Sequence, residues 1–60
     1  MSFDIGDLVR TKYTDTGLCI ITGFETKTGA TYQHTYYSAY SFIKSKYFYL
    51  LFERKDLDYV

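Results

Sequence analysis

The chain contains no proline, no tryptophan, a single cysteine, a single histidine and a single methionine among its 60 residues. With one cysteine, no disulfide can form within the chain, and no cluster of ligand-type side chains is dense enough for a structural zinc, which wants four donors. The four glycines stand singly, so no glycine-rich phosphate loop is present. Seven basic and seven acidic residues cancel, and no overall field draws the chain toward nucleic acid or an anionic membrane. No apolar run approaches the roughly 20 residues that a membrane helix needs, and no basic segment followed by an apolar core opens the chain. These absences lead us to expect a soluble, cytoplasmic protein with no membrane association and no cofactor.

What the chain has in quantity is aromatic side chains. Eight tyrosines and five phenylalanines are present, and each buries a large area when docked. A chain of this size hides only about 60% of the surface its unfolded form exposes. With no covalent or metal staple, the rings must supply the core, and oligomerisation is the other route to stability. We expect one domain over residues 1–60.

Turn signals divide the chain into short segments of strand character. Gly6-Asp7 precedes Leu8–Tyr13, in which Val9 points inward while Arg10 and Lys12 face water. Asp15-Thr16-Gly17 supplies a reversal: Gly17 can take positive φ and Asp15 can bond its own backbone. Leu18–Phe24 is almost continuously apolar, as expected of a central strand covered on both sides, and Gly23 within it marks a bulge or bend. Thr26–Gly29 is the next turn. Ala30–Ile43 forms a long third segment whose even positions, Tyr32, His34, Tyr36, Ser38, Tyr40 and Phe42, carry most of the rings. The adjacent Tyr36 and Tyr37 suggest a bulge. Lys44–Lys46 turns the chain into Tyr47–Phe52, six apolar or aromatic residues without a break. Glu53–Asp56 is too short and charged for more than one 3₁₀ turn, and Leu57–Val60 is a last strand that closes against the first. A helix over Thr35–Phe52 is the competing reading, but Tyr, Phe, Ile and Ser favour strand. The expected core holds Val9, Ile20 or Ile21, Leu50, Leu57 and Val60, with Phe3 closing its bottom.

This layout is all-β. The segments "IGDLVR" and "TGLCIITGF" resemble the opening hairpin of SH3-like and KOW-type barrels, in which Gly-Asp precedes the first strand. "YFYLLFERKDLDYV" is similar to their closing unit, where a leucine at the position of Leu57 plugs the core. The resemblance covers about half the chain and implies a small SH3-like barrel of about five antiparallel strands with a 3₁₀ turn before the last. The size and tyrosine richness also resemble short SH3-like proteins encoded by tailed bacteriophages, which implies the host cytoplasm as the place of action. Cys19 departs from the small residue, often glycine, usual at its position, and the basic loops of nucleic-acid-binding KOW members are thin here.

Catalysis needs a nucleophile with a base, paired carboxylates or a metal. Cys19 and His34 are the only nucleophile–base pair. An apolar strand raises a thiol's pKa, and no Asn or Asp is obviously placed to orient His34. The reading is therefore non-enzymatic. Nine of the thirteen rings fall between Tyr32 and Phe52, too many for one small core, so several of Tyr13, Tyr36, Tyr37, Tyr40, Tyr47 and Tyr49 should lie at the surface. They either cover the sheet through cross-strand pairs or form a contact surface, where tyrosine is favoured. The expected function is a protein-interaction module that self-associates or docks on a larger protein. The alternative is a KOW-like nucleic-acid module, with rings stacking bases and Arg10, Lys12, Lys44 and Lys46 neutralising phosphates.

Overall fold

The computed structural model describes residues 3–60; Met1 and Ser2, the start of the expected lead segment, lie outside the described residues. Among the described residues five strands form one antiparallel sheet: β1 Leu8–Thr11, β2 Leu18–Thr28, β3 Gln33–Ser41, β4 Lys46–Glu53 and β5 Leu57–Tyr59. A 3₁₀ turn, Arg54–Asp56, precedes β5. The spatial order is β4-β3-β2-β1-β5, so the last strand pairs with the first, while β4 and β5 are the two edges. No described residue in Thr35–Phe52 is helical, which settles that competition in favour of strand.

The opening turn is built as Gly6-Asp7 suggests. Asp7 donates its amide to the Asp4 carbonyl at 3.0 Å, and its carboxylate accepts the Asp4 amide at 2.8 Å. Gly6 has φ +93, a conformation costly for any residue with a Cβ. Gly17 takes φ +52 in the β1–β2 loop. The Ile43 side chain lies against the face of Gly17 where a Cβ would stand. Asp15, by contrast, turns its carboxylate to Lys44 at 3.6 Å.

Several boundaries move. β1 ends at Thr11 because Lys12 donates its amide to the Asp56 carbonyl and the Tyr13 carbonyl receives the amides of Thr16 and Gly17. β2 runs on to Thr28, so the reversal expected at Thr26–Gly29 falls later, with the Gly29 amide on the Tyr32 carbonyl at 2.9 Å. The β2–β3 hairpin beyond the core is largely exposed, and the molecule measures 38 × 19 × 18 Å.

Burial alternates strictly in the half of β2 next to the core. Cys19 and Ile21 are buried while Leu18 and Ile20 are half-buried on the opposite face. β2 is thus covered on one face, not two. The sheet bends at Ser38. On one side, Ile21 pairs with Ala39 and Gly23 with Ser38, which leaves one extra β2 residue. On the other, Ala39 pairs with Phe48 and Tyr37 with Phe52, so Tyr49, Leu50 and Leu51 stand opposite Ser38 alone. The bulge thus lies at Ser38 rather than at the Tyr36-Tyr37 step. Two bulges at one level curl a small sheet sharply. Ser38 is buried, and its hydroxyl accepts the Leu50 amide at 2.8 Å.

The core comprises Phe3, Val9, Cys19, Ile21, Tyr37, Ala39, Phe52 and Leu57, with Phe48 packed against it. Val9, Ile21, Leu57 and Phe3 are placed as expected. Leu50 is not a core residue: it takes φ +47 at the bulge and is only half-buried. Val60 is 66% exposed; period two along the last segment puts Leu57 inward and Val60 on the other side with Asp58. Tyr37 is buried, its ring edge-on to Phe3 at 5.6 Å and 6.0 Å from Phe24. Ala39 and Ser41 are also buried on this strand.

Candidate functional site

The six tyrosines singled out from the sequence divide three ways. Tyr13, Tyr47 and Tyr49 are exposed, at 51%, 50% and 70%. Tyr36 and Tyr40 are half-buried on β3. Tyr37 is in the core and drops out as a contact residue, because β3 turns its odd positions inward.

The register then assembles a face. Leu8 pairs with Ile20, Ile20 with Tyr40, and Tyr40 with Tyr47. Paired residues share a face of the sheet, and the buried neighbours Val9, Cys19, Ile21, Ala39 and Ser41 show which face is inside. An apolar row therefore crosses four strands on the outer surface, with no charged residue in it. Leu18 and Phe42 lie one step along, the Phe42 amide donating to the Leu18 carbonyl at 3.1 Å. The Tyr40 and Phe42 rings meet edge-on at 5.7 Å, and Tyr47 lies 6.5 Å from Tyr49. Leu8, Phe42 and Tyr47 are each about half exposed, at 47%, 48% and 50%. Charge begins at the border, where Arg10 pairs with Leu18 and Asp58.

Tyr36 belongs to a different part of that surface. Its register partners are Glu25 and Glu53, so carboxylates flank it on both sides. Leu8, Leu18, Ile20 and Phe42 were not among the contact residues expected from the sequence. The signal was present as the Cys19/Ile21 alternation, but the unbroken apolar run of β2 hid it.

The only nucleophile–base pair is not brought together. Cys19 pairs with Ser41 and His34 with Lys27, seven residues apart along β3, or roughly 20 Å at about 3.3 Å per residue. The Cys19 thiol is fully buried, within reach of the Thr16 carbonyl at 3.7 Å. Burial pushes it up, and a hydrogen bond with Ser41 offsets this only in part. His34 is exposed; its Nδ1 lies 3.5 Å from a Glu53 oxygen, and its ring sits between those of Tyr32 and Tyr36. Among the described residues no three His, Cys, Asp or Glu side chains gather as a metal site, and no helix is long and apolar enough to cross a membrane.

The four cations considered for phosphate contact do not form one stripe. Arg10 lies opposite Asp58, Lys44 is beside Asp15, and the Lys46 amine sits over the Phe48 ring at 5.5 Å. Lys12 instead shares a cleft with Arg54, Lys55, Phe3 and Tyr59. Nearby carboxylates, Asp58 in that cleft and Glu53 beside Lys55 at 3.9 Å, thin its positive charge. No protein-family model, curated protein or solved structure matches the chain.

Proposed function

We propose that this chain is a small, non-catalytic protein-interaction module of SH3-like build, which self-associates or docks on a larger protein through its outer face. One observation carries the reading: the apolar row Leu8–Ile20–Tyr40–Tyr47, continuous across four strands and uncharged along its length. Exposed apolar residues scattered singly need no explanation, whereas a contiguous patch with a polar border is how docking surfaces are built. Tyrosine suits such a surface because it offers large contact area with few rotatable bonds. The likeness to bacteriophage proteins extends the proposal to an accessory or assembly role in the host cytoplasm.

The test uses Tyr47→Ser with Tyr49→Ser. Both rings are at least half exposed, so the monomer should keep its stability to within about 0.5 kcal/mol per site. Sedimentation of the parent should show association at high concentration, and the double variant should sediment as a monomer with unchanged melting. A parent that stays monomeric at roughly millimolar concentration, where even a Kd of about 1 mM would be visible, and that retains no partner from lysate would leave these rings as cover for the sheet.

A further inference from the structure

On the side away from the apolar row, β4 faces the loop between β1 and β2 across a gap. The gap contains a cleft of about 220 Å³ lined by Tyr13, Asp15, Thr16, Leu51 and Phe52. Drug-sized ligands need about 300 Å³ or more, so this cleft is too small for one. It equals about seven water volumes at roughly 30 Å³ each, which is the scale of one long side chain. Its walls are apolar and aromatic: the Tyr13 ring lies 6.4 Å from the Phe52 ring, with the planes inclined by 34°. Leu51 is 57% exposed at its mouth.

Two carboxylates border this cleft, each with a cation near it. Asp15 stands on its lining with its carboxylate 70% exposed. Asp56 accepts a hydrogen bond from the Tyr13 hydroxyl at 3.2 Å, and its charge raises the Tyr13 phenol above its ordinary value. The resident cation is Lys44, 3.6 Å from Asp15 in a pair whose two side chains are 44% and 70% exposed. Exposed pairs of this kind are weak and exchange partners readily. A ring face, an apolar wall and a carboxylate together match a group that is long, apolar along its stem and cationic at its tip.

We propose that this cleft receives one arginine side chain from a partner protein. The stem lies along Leu51, the guanidinium stacks over the Tyr13 ring, and Asp15 exchanges Lys44 for it. Arginine fits better than lysine because its planar head both stacks on a ring and pairs with a carboxylate through two N–H groups. The cleft is separate from the apolar row, so it stands or falls independently of what that row binds.

The experiment is a titration of the whole chain, followed by backbone amide NMR, with the blocked tripeptide Ac-Gly-Arg-Gly-NH₂ and its norleucine counterpart. The arginine peptide should give saturable shifts centred on Thr16 and Phe52, with the norleucine peptide at least roughly fivefold weaker. The lysine peptide should fall between them. Asp15→Asn, a change at an exposed carboxylate that leaves the fold alone, should weaken the arginine peptide, as should added salt. Tyr13→Leu, which keeps the apolar wall but removes the ring, should weaken it too. Equal binding of arginine and norleucine peptides would reduce the cleft to a hydrophobic dent. Absence of saturable shifts, or an Asp15→Asn variant that binds like the parent, would overturn the proposal.

Discussion

Replacing Leu57 with alanine tests the central claim about how this fold is held shut. Leu57 is 3% exposed and packs in one cluster with Val9, Ile21, Tyr37 and Phe52. Leucine-to-alanine changes in cores remove about 2–5 kcal/mol, the upper values arising where the surroundings cannot collapse. Two features place this site in the middle of that range. The large rings of Tyr37 and Phe52 are held by other contacts and cannot move inward to fill the space. On its outer side, however, Leu57 also borders the cleft with Phe3, Lys12 and Tyr59, through which water can enter. We therefore expect a loss of about 3 kcal/mol. A chain of this length has roughly 3–9 kcal/mol of stability in total. Each kcal/mol shifts the midpoint of so small a domain by about 4–8 °C, so the variant should melt about 12–24 °C lower. Val60→Ala is the matched control: at 66% exposure it should change stability by no more than about 0.5 kcal/mol. Thermal unfolding followed by circular dichroism separates the two. A Leu57→Ala protein melting within a degree or two of the parent would refute the plug role, and a Val60→Ala protein falling as far would refute the face assignment of the last strand.

Two further changes probe the bend and the buried thiol. Ser38→Ala removes the acceptor for the Leu50 amide and should cost about 1–3 kcal/mol while speeding hydrogen exchange at Leu50; unchanged exchange there would show that the amide has another partner. For Cys19, burial raises the folded-state pKa, so the folded chain keeps the thiol proton to higher pH than the unfolded chain. The associated stability is complete below the unfolded value of about 8.5 and is lost as pH rises past it. Denaturant titrations at increasing alkalinity should therefore show the parent losing stability faster than Cys19→Ala, and parallel curves would argue against the assignment.

The succession of strands and the 3₁₀ turn were legible because they depend on local chemistry. Gly6 and Gly17 mark positions of positive φ, and Glu53–Asp56 is both too charged and too short to extend a strand. There Asp56 returns its carboxylate to the Glu53 amide at 3.0 Å, which closes the turn. The errors share a different cause. Leu50 reads as core in an apolar run, but it sits within a bulge that only the pairing with β3 reveals, at φ +47. Tyr37 reads as a surplus ring, but Phe3 and Phe24, distant in the chain, come to 5.6 and 6.0 Å from it and bury it. Hydrophobic pattern measures a residue's preference for burial. It does not measure how much volume the other strands leave.

The same limit explains the candidate sites. The row across the outer face joins residues 8, 20, 40 and 47 through pairing register, which no local window contains. The arginine cleft brings together Tyr13 and Phe52, far apart in the chain. Its polar side rests on a loop whose shape is set elsewhere: the Thr16 carbonyl is held by the Ser41 hydroxyl at 2.7 Å, and that hydroxyl also takes the Lys44 amide at 3.2 Å. Ser41 is fully buried at the end of β3, so one core hydroxyl ties the loop bearing Asp15 to the turn bearing Lys44. That tie places the carboxylate and its resident cation side by side. It also gives the apparently unfavourable burial of a serine a physical reason: an apolar residue there would fill the same space but leave both loops without a common anchor.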